Sequence, residues 1–132
     1  MNHLETNLQI SCAKYMRLQY PNVFVTAFPA GFLFGGDKSK RIRTGKMMKD
    51  MGYEPGTPDM LICQLGIEKV SNNFSGFLYI KKNGLFIEFK IGKGKLSENQ
   101  IQAIEQLQKA GYKVEVVRSF DEFKTIVDNY LK

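Results

Sequence analysis

The first part of the chain alternates between helical and extended patterns of apolar residues. From Leu4 to Tyr20 the apolar side chains fall on one helical stripe that Pro21 closes, so the pattern predicts a helix. The stripe contains Leu4, Leu8, Cys12, Tyr15 and Met16. The β-branched and aromatic residues from Asn22 to Phe28 predict a strand, and the glycine- and proline-containing residues after it predict a loop.

A basic segment and a turn precede the second predicted strand. The residues from Lys38 to Lys49 include six lysines and arginines and no acid, and we expect them to form a short helix that ends near Gly52. Glu54 to Asp59 reads "EPGTPD", which is typical of a turn. The apolar run from Asp59 to Leu65 predicts a buried strand.

The middle of the chain contains a strong hairpin signal. Asn83-Gly84 lies between two apolar runs, which predicts strands at Phe77–Lys81 and Leu85–Ile91 joined by a tight turn. Strand side chains repeat with period two, so the second strand has an apolar face and a mixed face. The apolar face carries Ile87, Phe89 and Ile91, and the mixed face carries Phe86, Glu88 and Lys90. The mixed face would either point to water or form part of a functional site.

The last third predicts a helix, a strand and a second helix. The spacing of a capping box, which marks a helix N-terminus, occurs at Ser97–Gln100 and again at Ser119–Glu122. Gly111 stands where a glycine commonly ends a helix, and Tyr112–Arg118 has the composition of a strand. The apolar side of the last helix comprises Phe123, Ile126, Val127, Tyr130 and Leu131. The order of elements predicts an α/β domain with a mixed central sheet flanked by helices.

Composition narrows the function classes. The 132 residues fit one domain, and no apolar run is long enough to span a membrane, so we expect a soluble intracellular protein. With one histidine and two cysteines, Cys12 and Cys63, which we expect to be buried and reduced, a zinc site of soft ligands is nearly excluded. A metal would therefore be a hard cation held by carboxylates.

The charge of the chain points to a polyanionic partner. The formal net charge is +6, and much of it lies in the basic segment, which could neutralise phosphates or could be a solvated helix face. Its cations are Lys38, Lys40, Arg41, Arg43, Lys46 and Lys49. Composition alone leaves both alternatives open.

Several polar residues could form a site, although each also has a structural explanation. Asp59 follows a turn and begins an apolar strand, where an acid can point out at the end of the sheet. Glu88 and Lys90 share one strand face, and a Gly/Lys-rich turn with Lys93 and Lys95 follows them. Gln100 could serve the capping box alone. Glu5 could be a solvated acid in the first turn of its helix.

Taken together, these motifs resemble a known family. "GTPDM", "LFIEFKIGKGKLSENQ" and "AGYKVEVVRSFDEF" are similar to the VRR-NUC (virus-type replication-repair nuclease) domain, a branch of the PD-(D/E)xK nuclease superfamily. The resemblance extends from Glu5 to the last helix and implies a restriction-endonuclease-like core in a single domain over residues 1–132. The spacer of 29 positions between Asp59 and Glu88 is long for this pattern, which implies an inserted hairpin at about residues 66–83.

The resemblance also implies roles for individual residues. Asp59 and Glu88 would be the ligands of Mg²⁺ or Mn²⁺, with the backbone carbonyl of Phe89 as a further ligand, and Lys90 would be the catalytic lysine. Gln100 would orient a water molecule or Lys90, and Glu5 would make an outer or second-metal contact. The cations of the basic segment, together with Lys93 and Lys95, would bind DNA.

The resemblance implies a substrate and an assembly as well. Stand-alone members of the family, of the phage and bacterial type, are associated with branched DNA such as four-way junctions, which suggests a structure-selective endonuclease acting as a homodimer. In the sequence, "AFPAGFLF" (Ala27–Phe34) could support self-association, act as a DNA wedge or fold onto the core. Two alternatives are a flap-type nuclease and a non-catalytic DNA-binding module. A nucleotide-binding enzyme using "GKGK" (Gly92–Lys95) lacks the strand–loop–helix context of a phosphate-binding loop.

Overall fold

A computed structural model of the chain describes residues 3–28, 36–74 and 76–132. Their elements, in chain order, are α1 (His3–Gln19), β1 (Phe24–Ala27), α2 (Lys38–Asp50), β2 (Met60–Cys63), β3 (Gly66–Asn72), β4 (Gly76–Lys82), β5 (Leu85–Phe89), α3 (Glu98–Lys109), β6 (Lys113–Val117) and α4 (Phe120–Leu131). Most of the proposed loop "AFPAGFLF" lies at residues 29–35, outside the described ranges.

Four of the strands form a mixed central sheet in the order β1-β2-β5-β6. β1 pairs with β2 and β2 with β5 in antiparallel fashion, whereas β5 and β6 are parallel. The parallel pair needs a crossover, which α3 provides between the two strands. The predicted α/β fold with a mixed sheet between helices is confirmed.

The main core lies between the central sheet and the helices α1 and α4. Its buried side chains are Cys12, Met16, Met60, Ile62, Leu85, Ile87, Phe89, Val117, Phe123, Val127 and Tyr130. The alternating residues of β5 that the sequence assigns to an apolar face therefore enter this core. The opposite face of the sheet carries α3, so every residue of β5 is buried. The mixed face of this strand consequently does not point to water.

Both predicted helix starts occur where the capping motifs place them. Ser97 and Gln100 form the complete capping box at the start of α3. Ser119 caps α4 by accepting a hydrogen bond from the backbone N–H of Glu122. Gly111 follows α3 with a φ of +91°, a left-handed conformation that glycine adopts without a Cβ penalty. α2 also forms, over the basic segment, and Asp37 caps it.

The predicted hairpin at Asn83-Gly84 is wrong. β4 pairs with β3 to form a separate two-stranded sheet, while β5 pairs with β2 and β6 in the central sheet. Asn83 has another function, because its N–H donates to the Gly111 carbonyl at 2.8 Å and its side chain donates to the Ala110 carbonyl at 3.0 Å. These contacts tie the start of β5 to the end of α3, so the Asn-Gly pair directs the chain into the central sheet.

Two smaller expectations are also corrected. Leu4 is exposed, and the buried residues of α1 are Gln9, Cys12 and Met16, so the helix is rotated away from the predicted stripe at its N-terminus. Cys12 is buried as predicted, and burial raises the pKa of its thiol to about 12. Cys63 is exposed at the end of β2, where the strand leaves the core. Across the described residues, no helix combines the length and apolar character that a membrane crossing requires.

The turn before Asp59 packs directly on the first turn of α3. Gly56 has a φ of +89°, and a Cβ atom built on it would lie 2.2 Å from the backbone oxygen of Asn99. Pro58, two residues later, is fully buried. Glycine is therefore required at position 56 both by conformation and by space, and the contact fixes Asp59 relative to Gln100.

We predict that Gly56→Ala destabilises the chain more than a matched substitution at Gly52. Gly52 also has a positive φ of +110°, but nothing lies within 4 Å of its added Cβ. Gly52→Ala should cost only the left-handed backbone strain of about 1–2 kcal/mol. Gly56→Ala adds a backbone clash, so we expect a loss of ~3 kcal/mol or more in the free energy of unfolding. Urea unfolding followed by circular dichroism measures both, and equal losses would contradict this account.

Candidate functional site

Asp59 and Glu88 are brought together by the register of two antiparallel strands. Met60 of β2 lies opposite Ile87 of β5, so the next pair toward the end of the sheet is Asp59 and Glu88. Residues directly opposite each other in an antiparallel pair project from the same face of the sheet. Asp59 is held from two sides, because its Oδ2 accepts a hydrogen bond from the Phe89 N–H at 2.9 Å and its carbonyl accepts one from the Phe28 N–H at 2.8 Å.

Glu88 is a buried carboxyl group with one bound oxygen and one unpartnered oxygen. Its residue is only 3% exposed. Oε1 accepts a hydrogen bond of 2.6 Å from Gln100 Nε2. Within the described residues, Oε2 is buried without a hydrogen-bond partner. A buried polar atom without a partner is costly and often marks the position of an ion or a water molecule.

Gln100 serves the helix cap and the site simultaneously. Its Oε1 accepts the backbone N–H of Ser97 at 2.9 Å, which completes the capping box, while its Nε2 donates to Glu88. The two explanations that the sequence leaves open for this residue are therefore compatible. The residue that its amide contacts is Glu88, whereas the resemblance implies a water molecule or Lys90.

Lys90 extends the same strand face beyond Glu88. Its Nζ lies 3.9 Å from Glu88 Oε1, and its side chain is 14% exposed. Its backbone N–H donates to the Val117 carbonyl at 3.0 Å, which continues the β5–β6 ladder by one residue. The ammonium group is therefore held near the carboxylates and close to solvent.

Burial changes the protonation of the two acids. Burial, followed by the negative charge of Asp59, raises the pKa of Glu88 to about 8. Burial also raises the pKa of Asp59, although the hydrogen bond from the Phe89 N–H opposes this effect. Two carboxyl groups in a poorly solvated place resist simultaneous ionisation unless a cation is shared between them.

Glu5 acts on the site through its charge. Its negative charge is one of the causes that raise the pKa of Asp59, behind burial. Within residues 3–28, 36–74 and 76–132, no three acidic, histidine or cysteine side chains gather into a metal-binding cluster. The carboxylates that converge are therefore Asp59 and Glu88, and a ligand role for Glu5 stays a prediction.

The predicted DNA-binding cations lie on two exposed elements. Lys38, Lys40, Arg41, Arg43, Lys46 and Lys49 all lie on α2, which has no buried residue. Lys46 pairs with Asp50 at 2.9 Å on the surface, an arrangement that contributes little stability. Lys93 and Lys95 are exposed in the turn that follows Lys90. The structure thus leaves these cations accessible, and their contact with DNA stays a prediction.

Sequence reasoning missed two residues near the site. Burial, and then the charges of Asp59 and Glu88, raises the pKa of Tyr53, so this phenol faces the acidic pair. Arg118 follows β6 and donates from Nη1 to the Gly92 carbonyl at 3.0 Å, which holds the turn after Lys90. Neither residue belongs to a recognisable spacing, and only the tertiary fold brings them to this end of the sheet.

The donor set fits a divalent cation of the hard type. Mg²⁺ is commonly held by one or two carboxylates together with water and substrate oxygens, and Asp59 and Glu88 supply such a pair. The unpartnered Oε2 of Glu88 is the observation that favours this fit, because a cation would satisfy it and offset the repulsion between the two acids.

Comparisons with known proteins agree with this geometry. The family model described as the VRR-NUC domain matches residues 44–121, which include β2, β5, α3 and β6. A solved structure described as a VRR_NUC domain protein has a similar fold, with a TM-score of 0.64 over 96% of this chain and 87% of that chain, at 22% sequence identity. No match was found among the curated proteins.

The raised pKa of Glu88 predicts a pH-dependent stability of the metal-free chain. The folded state binds this proton more tightly than the unfolded state, where the pKa is 4.5. The resulting stabilisation is fully present below that value and is lost as the pH rises through about 8. In the presence of a chelator, the free energy of unfolding of the wild type should therefore fall between these pH values relative to that of Glu88→Gln. Urea titrations at a series of pH values measure the difference, and parallel pH profiles would contradict it.

Proposed function

This chain belongs to the VRR-NUC family of nuclease domains, and on that premise we propose that it is a divalent-metal-dependent endodeoxyribonuclease that hydrolyses phosphodiester bonds in branched DNA such as four-way junctions. The observation that supports the proposal most strongly is the pair of buried carboxyl groups, Asp59 and Glu88, beside the Lys90 ammonium. A protein that only bound DNA would gain nothing from two acids facing phosphate. Their repulsion would weaken binding unless a cation lay between them.

Asp59 and Glu88 would hold Mg²⁺ or Mn²⁺, with the carbonyl oxygen of Phe89 as a further ligand. When bound, such a cation lowers the pKa of a water ligand and offsets the charge that develops on the scissile phosphate. Gln100 prepares Glu88 for this role, because it binds Oε1 and leaves Oε2 available. Glu5 would contribute an outer contact or help to hold a second metal.

Lys90 would supply the positive charge that the reaction needs at its centre. In-line hydrolysis requires a water molecule held opposite the leaving oxygen, and negative charge accumulates on the phosphoryl oxygens in the transition state. An ammonium group 3.9 Å from Glu88 on the same strand face is suited to both tasks. Its low exposure strengthens its electrostatic effect.

The basic surface favours recognition of DNA shape over DNA sequence. The cations of α2 lie just before the Asp59 turn in the chain, and Lys93 and Lys95 directly follow the Lys90 strand. Lysine and arginine contacts to phosphates position a nucleic acid without reading its bases. A four-way junction has two-fold symmetry and one active site serves one strand, so we propose that the enzyme acts as a homodimer.

A cleavage panel tests the proposed function. We expect the wild type with Mg²⁺ or Mn²⁺ to cut a four-way junction by paired symmetric nicks, in preference to duplex, single-stranded and flap substrates. Asp59→Asn and Glu88→Gln should each abolish cutting, because each removes a metal ligand, while junction binding measured by fluorescence anisotropy stays largely unchanged. Preferred cutting of flaps would identify a flap-type nuclease.

A charge-reversed variant separates binding from cutting in the same panel. Arg41→Glu combined with Arg43→Glu should weaken binding to all substrates and flatten its dependence on salt concentration, since fewer counterions are released. Metal-dependent cutting at saturating protein should survive in this variant. Normal cutting by both carboxylate variants would show that the proposed site is wrong. Tight, salt-sensitive binding without cutting by the wild type under any metal would identify a DNA-binding module.

A further inference from the structure

The β3–β4 hairpin forms a sheet of its own at the end of the central sheet that lies away from the site. β2 runs away from Asp59 and leads into β3, while β4 leads into β5, which runs toward Lys90. Tyr130 of α4 fixes the base of the hairpin, because its hydroxyl donates to the Gln64 carbonyl at 2.7 Å. Its ring lies so close to Gly66 that an added Cβ would meet it at 2.3 Å. The hairpin is thus anchored at its base.

β4 is the outer strand of this small sheet and carries exposed apolar side chains along its edge. It pairs with β3 over its whole length, and the described residues contribute no other strand to this sheet. Leu78, Tyr79 and Ile80 are 51%, 69% and 41% exposed. Soluble proteins usually protect such an edge with charges, proline or a covering element, because its outward N–H and C=O groups attract another strand. The centre of β4 has none of these protections.

The charges of β4 are compatible with antiparallel pairing to an identical strand. Lys81 and Lys82 stand at its end, and its start, Gly76-Phe77, is uncharged. A two-fold axis at Tyr79 would place both lysines of one copy opposite the uncharged start of the other. Parallel pairing would instead set the lysines of the two copies side by side, which like-charge repulsion disfavours.

The same register matches the apolar side chains of the strand. Leu78 would lie opposite Ile80 of the second copy, and the reverse pair follows by symmetry. On the same face, Val70 of β3 lies opposite Leu78 within each hairpin and lengthens the apolar row. Two hairpins would therefore form a four-stranded sheet whose centre is apolar.

We propose that the outer edge of β4 is the surface through which two copies of this chain associate, by antiparallel strand pairing centred on Tyr79. The inference rests on the proposed function only in assigning the dimer a purpose, since it names the contact that would join two nuclease sites. Pairing at this edge leaves Asp59, Glu88 and Lys90 of both copies uncovered, because they lie at the opposite end of the central sheet.

A DNA contact is the less suitable use of this edge. The middle of β4 offers Leu78, Tyr79 and Ile80 but no cation, whereas phosphate binding requires positive charge. The strand also starts from the end of the sheet that is remote from the carboxyl pair. A single strand edge gives a small interface, so we expect a dissociation constant on the order of micromolar.

Sedimentation velocity of the intact protein without DNA or metal tests the proposal. The wild type should shift from monomer to dimer as its concentration rises to about 100 µM. Leu78→Glu combined with Ile80→Glu should sediment as a monomer throughout, because like charges would face each other across the two-fold axis. Ile101→Glu is the matched control, since Ile101 lies on α3 with the same 41% exposure as Ile80. It should associate as the wild type does.

A charge-complementation experiment guards against a simple folding defect. Leu78→Lys combined with Ile80→Lys should also be monomeric alone, whereas an equimolar mixture of the acidic and basic variants should restore the dimer. A monomeric wild type, dimeric double variants, or a mixture that stays monomeric would each overturn the proposal. Unchanged sedimentation with weakened junction binding would assign the edge to DNA instead. None of these readouts depends on cleavage, so failure here is distinguishable from failure of the proposed function.

Discussion

The site depends on one constraint, the antiparallel register between β2 and β5. Because Met60 lies opposite Ile87, Asp59 and Glu88 become neighbours on the same face. A shift by one residue would turn one of the two acids to the opposite face of the sheet, toward the main core. The apolar residues on the core side, such as Ile62 and Phe89, hold this register because they can be buried in only one phase. The packing that stabilises the fold therefore also determines the geometry of the site.

The acidic pair is unfavourable for the fold, and its surroundings compensate only in part. Glu88 is almost completely buried, its pKa is raised by burial and by Asp59, and one of its oxygens has no partner among the described residues. A purely structural strand would place an apolar residue there. Strain of this kind, retained at the end of a sheet, is typical of a functional site whose ligand supplies the missing interaction.

The first turn of α3 connects the two halves of the site. Its capping residue Gln100 holds Glu88, and the backbone next to it packs on Gly56 of the turn that leads into Asp59. A helix cap, which ordinarily serves only local structure, thus fixes the relative position of two acids that are far apart in sequence. This arrangement explains why the glycine, the aspartate and the capped helix occur together in one motif.

Local chemistry made much of the fold predictable from the sequence. The helix caps at Ser97 and Ser119 and the buried strand at β5 depend on neighbouring residues, and they occur where their motifs indicate. The Asn83-Gly84 turn failed because tertiary contacts with the end of α3 outweighed its local preference. The exposure of Cys63 depends on where the sheet ends, which no local pattern encodes.

The candidate site was predictable in its members but not in its geometry. Motif spacing brought out Asp59, Glu88, Lys90 and Gln100, and the sheet register and the α3 cap place the two acids and the glutamine in contact distance of one another or of a shared neighbour. Tyr53 lies near the acids without any motif, because the turn before β2 carries it there. Such positions are determined by long-range packing, which one sequence without relatives does not reveal.

The central claim is that Asp59 and Glu88 together bind a divalent cation, and Mn²⁺ binding followed by electron paramagnetic resonance tests it most directly. The wild type should bind Mn²⁺ without DNA, and Mg²⁺ should compete for the same site. Asp59→Asn and Glu88→Gln should each lose this binding, whereas Asp50→Asn, which removes an exposed acid on α2, should retain it. Unchanged Mn²⁺ affinity in either site variant would contradict the account.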